Sequence, residues 1–276
     1  MKILFESTLT INQEIKKLIN NEALNSFSKT NYQGDNANYC TSLFSDYFIE
    51  PNEYNKKFLV YMGKQLIEWA EKKLHNGYFE MEDAHHGTEL FLGFLPRYID
   101  LFPEDGKAKE LIINVANYIG NWNNKTEEWY NYSLKNFNSW YFGSGGINQS
   151  AHYKFNTADH LRFVHISLLA WHISSDQKYL DWSVNYTREF AKRILLSGDI
   201  VPVAWDCNWN EFFYEDMKSP EEKFLAANHH HLKNDPLSGI ENLIASGAIQ
   251  IFGQLYIITK DDIFLKAAKK IIKNLL

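Results

Sequence analysis

Eight of the ten histidines in this 276-residue chain lie in or beside three segments, residues 75–87, 120–156 and 197–238. They are His75, His85, His86, His152, His160, His229, His230 and His231, and acids and amides travel with them. The runs are Glu82-Asp83-Ala84-His85-His86, Asn156-Thr157-Ala158-Asp159-His160, Trp205-Asp206-Cys207-Asn208 and Ala227-Asn228-His229-His230-His231. An imidazole titrates near neutrality and can take or give a proton. A carboxylate beside it can orient the ring or act as acid or base itself, and an amide can bind a substrate's charged group. Acid–base chemistry at a cleft fed by several segments is the first expectation.

Each group also has a structural reading. Neighbouring residues of a helix diverge by about 100° and no His-Glu-x-x-His spacing occurs, so His85-His86 and His229 to His231 do not read as metal sites. No metal and no other cofactor is expected. Asp83, Asp159 and Asp206 could equally cap helices or form turns. His165 and His172, seven apart on an apolar stretch, read as core histidines bonded to a neighbour.

The elements that must position these residues repeat one design. Residues 88–119, 157–196 and 239–276 each read as an apolar helix, a short polar turn with Asp, and a second helix apolar on one face. In the last, Phe264, Ala267, Ala268, Ile271, Ile272 and Leu275 share a face, with Lys266, Lys269, Lys270 and Lys273 opposite. The first helices, such as Leu161 to Ile173, show almost no polar stripe and are expected to be covered all round. A further outer helix fits residues 54–74, with an inner partner in residues 7–28. Covered helices alternating with half-covered ones predict an all-α fold, an α/α toroid with a small or incomplete ring. The long links between hairpins would then gather on one rim, and a short strand is expected in residues 199–205.

Those links are aromatic. Residues 120–155 hold Trp122, Trp129, Tyr130, Tyr132, Phe137, Trp140, Tyr141, Phe142, Tyr153 and Phe155, and Trp205, Trp209, Phe212, Phe213 and Tyr214 crowd the third link. They can form a satellite core or a platform on which sugars stack, and the polar tips of so many Trp and Tyr favour the platform.

Composition sets the outer limits. With 45% hydrophobic and 22% charged residues the chain is a folded globular protein, read here as one domain over residues 1–276 with residues 1–50 irregular or a first hairpin. A net charge of −6 without a basic cluster argues against nucleic acid. No run of eighteen apolar residues and no readable signal peptide occur, so a soluble, cytoplasmic protein without a membrane partner is expected unless a secretion signal has been trimmed. Cys40 and Cys207 form neither a C-x-x-C pair nor a disulfide framework. Oligomeric state is left open.

The phrases Trp171-His172-Ile173-Ser174-Ser175-Asp176-Gln177-Lys178-Tyr179-Leu180 and Tyr256-Ile257-Ile258-Thr259-Lys260-Asp261-Asp262-Ile263-Phe264-Leu265 resemble the hairpins of α/α-toroid carbohydrate-active enzymes, the six-hairpin glycosidases and toroidal polysaccharide lyases. The resemblance covers about residues 53–276, includes no diagnostic catalytic motif, and departs in size, since a full ring needs more chain. It implies a glycan substrate lying across the rim. In a lyase, a base takes the proton α to a uronate carboxylate and an acid protonates the leaving oxygen. His152, Tyr153 or His160 would fill those roles, and Asn228 with His229 or His230 resembles the neutralising element, with Arg162 nearby. His85, His86, Trp140, Tyr141, Asp159 and Trp205 would contact substrate. In a glycoside hydrolase, Asp83 and Asp206 would be the carboxylate pair, roughly 6.5 to 9.5 Å apart for inversion. β-Elimination ranks first, hydrolysis second. A non-enzymatic helical-repeat binding protein and a terpenoid cyclase or dehydratase are the further alternatives, the terpenoid reading weakened because Asn234-Asp235-Pro236-Leu237-Ser238-Gly239-Ile240-Glu241 has wrong spacing and a helix-breaking Pro236.

Overall fold

The computed structural model describes residues 10, 11, 13, 14, 38, 40–49, 51–123, 129–150, 153–202, 204–213, 218–220 and 238–273. In chain order the elements are α1 (Ser42–Ile49), α2 (Glu53–Lys73), β1 (Glu82–Asp83), α3 (Ala84–Glu89), α4 (Phe94–Leu101), α5 (Gly106–Ile119), β2 (Tyr130–Asn131), β3 (Asn136–Phe137), β4 (Tyr141–Gly143), β5 (Gly146–Ile147) and β6 (Phe155–Asn156). A 3₁₀ turn (Ala158–Leu161) then leads into α6 (Arg162–Ser174), α7 (Gln177–Leu196), β7 (Ala204–Asp206), β8 (Glu211–Phe212), α8 (Ser238–Ala245), α9 (Ala248–Thr259) and α10 (Asp262–Lys273).

The protein is mostly helical, but it is not purely all-α. Its links condense into small antiparallel sheets of order β1-β4-β5, β2-β3 and β6-β7-β8 among the described residues. The strand expected in residues 199–205 begins at Ala204. The expected inner partner in residues 7–28 lies almost wholly outside the described residues. No single described helix is long and apolar enough to cross a membrane, and α8 with α9 reach that apolarity only together, across a 61° bend.

The chain forms two compact units, residues 1–72 with 89–108 and residues 73–88 with 109–276. In the first, α2 buries Phe58, Leu59, Met62, Leu66 and Ala70 on one face, as its period of 3.6 requires. Gly63 is needed there because a Cβ would stand 2.4 Å from the Tyr98 ring of α4. Tyr98 donates through its hydroxyl to Asp105 Oδ2 at 2.8 Å, and Phe44 of α1 packs on Phe94 at 5.1 Å between centroids.

In the second unit, α6–α7 and α9–α10 are helical hairpins built on one turn, bond for bond. Ser174 Oγ donates to the Ala170 carbonyl, and Thr259 Oγ1 to that of Leu255, each at 2.7 Å. Ser175 and Lys260 then take left-handed φ values of 57° and 59°. Asp176 and Asp261 follow, each accepting the N–H two residues on at 3.1 Å to start the second helix. Arg188 Nε on α7 donates to Asp261 Oδ2 at 2.9 Å, joining the first hairpin to the turn of the second.

Burial differs between the two first helices. Arg162 to Leu168 of α6 is nearly all covered, whereas its last turn with His172 is exposed, so His172 is not a core histidine. In α9 the expectation of all-round cover fails: Ile251, Phe252 and Leu255 are buried, but Gly253 and Gln254 face solvent and Ile257 is 67% exposed. α10 is amphipathic as expected, with Phe264, Ala267, Ala268 and Ile271 buried.

Candidate functional site

The site is built in the second unit from β1, α3 and the turn ahead of α6. Strand β1 pairs with β4 so that Asp83 lies opposite Tyr141 and Glu82 opposite Phe142. Directly opposed residues of an antiparallel pair project from the same face. Asp83 then starts α3: its Oδ1 accepts the His86 N–H at 2.7 Å, as a helix-capping aspartate does, and its Oδ2 lies 2.7 Å from His86 Nδ1. The His86 side chain is 60% exposed while Asp83 is buried. His86 is therefore a carboxylate-held ring with most of its surface exposed.

His85 points to a different acid. Its Nδ1 lies 3.4 Å from Oδ1 of Asp159, which has no exposed surface. Arg162 Nε approaches the same oxygen at 3.4 Å, and Ser246 Oγ donates to it at 3.2 Å. Arg162 Nη1 also donates to the His85 carbonyl at 3.4 Å. One buried carboxylate thus gathers groups from α3, α6 and the α8–α9 junction. At that junction Gly247 has φ 75°, and a Cβ there would stand 2.3 Å from His165 Nε2. His165 bonds to the backbone at Gly247 and Ser246, and burial lowers its pKa to about 4. It stays neutral near pH 7, in keeping with the expected bonded core histidine.

Two phenols complete the group. Tyr141 and Tyr153 are half-buried, with ring centroids 5.0 Å apart. Burial first, and then the charges of Glu82 and Asp83 with the Tyr153 phenol, hold the Tyr141 phenol above its ordinary value, so it remains protonated and able to donate.

Other expected site residues stand elsewhere. His160 is fully buried: its Nδ1 accepts the Thr157 N–H at 3.0 Å, which leaves Nε2–H to donate to the Ser139 carbonyl at 3.2 Å, a tautomer assigned from these bonds. Both nitrogens hold the turn, and the ring packs on Phe137 at 4.6 Å, so it is a structural cap rather than a base. Asp206 shapes the β7–β8 turn, its carboxylate accepting the N–H groups of Asn208 and Asn210 at 2.7 and 2.9 Å and Asn210 Nδ2 at 2.8 Å. It belongs to the β6-β7-β8 sheet and Asp83 to β1-β4-β5, and no described contact pairs them.

Trp140 is 3% exposed and stacked on Tyr153 at 6.2 Å, and Trp205 is equally buried against Phe190 and Trp209. Trp129, Tyr130, Phe137 and Phe142 are buried too. Most of the link aromatics are therefore a satellite core, because each ring removed from water contributes about 2 to 3 kcal/mol that short strands alone do not supply. His152, Asn228, His229 and His230 lie outside the described residues.

Glu82, named in its run but given no role in the sequence, offers with Asp83 and His86 ligand atoms all within 4.8 Å of one another. The signal is the Asp-x-x-His spacing across one helical turn with an acid just before it, rather than a pair of histidines. Ser246 was missed, having no sequence neighbour in the site.

No protein-family model matches the chain, and neither a curated protein nor a solved structure matches it.

Proposed function

We propose that the protein is a carbohydrate-active lyase that cleaves a uronate-containing glycan by β-elimination, built on a partial α/α toroid of which α6–α7 and α9–α10 are adjoining hairpins. The identical turns of those hairpins, and the docking of α7 on both α6 and α10, support the ring. The observation that carries the chemistry is His85, whose Nδ1 lies 3.4 Å from buried Asp159, on the helix started by Asp83, the strand partner of Tyr141.

In this reading the carboxylate of Asp159 holds the His85 ring at Nδ1 and Nε2 acts as the base. His85 takes the proton α to the uronate carboxylate, the electron pair of that C–H bond forms the new double bond, and the C–O bond at the β carbon breaks. Tyr141 gives its proton to the departing oxygen. Tyr153, half-exposed beside it, contacts the sugar. His160, Asp206, Trp140 and Trp205 have no part in the step.

The test is incubation with a panel of uronate-containing and neutral glycans, reading ultraviolet absorbance from the new double bond and the release of reducing ends. Both should rise together on a uronate substrate, and His85→Gln and Tyr141→Phe should each lower the rate by about 100-fold or more with the fold intact. Reducing ends without absorbance would mean hydrolysis. Binding without turnover would mean a helical-repeat binding protein, and either result overturns the lyase reading.

A further inference from the structure

A uronate substrate brings a carboxylate that must be neutralised before its α proton becomes acidic enough to lose. The described cation nearest His85 is Arg162, and it is spent on Asp159, with only 10% of its side chain exposed. Immediately ahead of α3 stand two carboxylates, Glu82 and Asp83. Among the described residues neither is paired with a lysine or arginine, and the one ion-pair partner of Asp83 is His86. Their field reaches Tyr141, whose phenol they help to hold protonated.

We propose that Glu82, Asp83 and His86 bind a divalent transition-metal ion, which holds the substrate carboxylate beside His85. The part played by the ion in catalysis rests on the lyase reading; the binding of the ion does not. The three ligand atoms lie within 4.8 Å of one another. Ligand atoms at ordinary distances of about 2.0 to 2.2 Å from one ion stand at most about 4.4 Å apart, so a small side-chain movement closes the set on the ion. The ion replaces the proton now shared between His86 Nδ1 and Asp83 Oδ2, so both atoms turn from hydrogen-bond partners into ligands, while Asp83 Oδ1 keeps its capping bond to the His86 N–H. One imidazole and two carboxylates suit Mn(II) or Zn(II) better than Mg(II), and the exposed side of His86 leaves open positions for water or a substrate oxygen.

The experiment titrates Mn(II) into the full chain and follows free Mn(II) by electron paramagnetic resonance. Mn(II) is preferred to Zn(II) because its unpaired electrons give the free ion a resonance signal that Zn(II) lacks. One saturable site per chain is expected. Glu82→Gln should weaken it at least tenfold, although its amide oxygen can still accept the Asp83 N–H that Glu82 Oε1 accepts at 2.9 Å, so the strand keeps its geometry. The double variant His229→Ala, His230→Ala should bind as the parent does. Absence of saturable binding, equal affinity in Glu82→Gln, or loss of binding in the double variant instead would each overturn the site. Saturable binding that Glu82→Gln weakens, in a protein that eliminates no glycan, keeps the ion and overturns the lyase reading. β-Elimination without Mn(II) binding and indifferent to chelator does the reverse.

Discussion

His85 and His86 are consecutive residues on the first turn of α3, yet the two pairs they make with buried carboxylates differ in exposure and in partners. His86 is bound by Asp83, one turn back in the chain, in a pair that is local and opens to solvent. His85 is bound by Asp159, brought from a distant segment, and that acid is fully enclosed with Arg162 and Ser246 on the same oxygen. A local pair at the surface can exchange its proton or its partner at little structural cost. A buried carboxylate shared by three elements cannot, because each donor would be left without its counter-group in a low-dielectric site. The pair of histidines thus combines one fixed ring and one adaptable ring on a single helical turn.

The largest effect should come from Asp159→Ala. It leaves the guanidinium of Arg162, 8% exposed as a residue, buried without its counter-charge, and strands Ser246 Oγ. The expected loss is about 3 to 5 kcal/mol, or a fall in melting temperature on the order of 10 °C. Replacing Arg162 by Met in the same protein should recover most of it, since an apolar pair of similar volume carries no charge to desolvate. A loss no larger than about 1 kcal/mol in thermal or urea unfolding would show that Asp159 is not the hub of the contrast.

His165 sharpens the buried side further. Its folded pKa of about 4 lies below the unfolded value of 6.5, so between these values the unfolded chain binds more protons. Stability should therefore fall as the pH drops from about 6.5 to 4, by up to about 3 kcal/mol, and show no contribution from this group at higher pH. The carboxyl of Asp261 is held below its ordinary value by the Ile263 N–H and then by Arg188, and Asp176 is lowered by the Lys178 N–H and side chain, so their losses come at lower pH than this window. Urea midpoints measured across the window should flatten in His165→Gln. An unchanged slope would assign the acid sensitivity to other groups.

The elements that were legible in the sequence are those whose cause is local. The turns at Ser175-Asp176 and Lys260-Asp261 repeat because a hydroxyl, a left-handed residue and an aspartate cap act within a few positions of one another. What failed depended on partners far along the chain. Trp140 and Trp205 have the composition of a sugar platform, and only their long-range packing makes them core. α9 carried a signal of its own, since Gln250, Gly253 and Gln254 fall on one face with Ile257, and that face is the exposed one. His160 carried a usable signal that went unread: Thr157-x-x-His160 has the spacing of a capping box, with an imidazole where glutamate or glutamine usually stands. Of the site itself, Asp83 and Tyr153 were expected as acid–base groups and His85, His86, Tyr141, Asp159 and Arg162 as substrate contacts. Which carboxylate serves which histidine was not legible, because Asp159 is far from His85 in sequence.

The smallest effect should come from His86→Ala. The bond that matters to the fold runs from the backbone N–H of residue 86 to Asp83 Oδ1, and alanine keeps it. What is lost is the contact of an exposed ring with Asp83 Oδ2 and with the His85 ring, a pair open to solvent on its histidine side and expected to contribute about 1 kcal/mol. The melting temperature should accordingly change little, while Mn(II) affinity falls about as far as in Glu82→Gln because one of three ligands is gone. A stability loss above about 2 kcal/mol would make the Asp83–His86 pair a clasp of the fold, as fixed as the pair around Asp159. Asp83 and His86 could not then release each other to bind an ion, and the contrast between the two histidines would collapse.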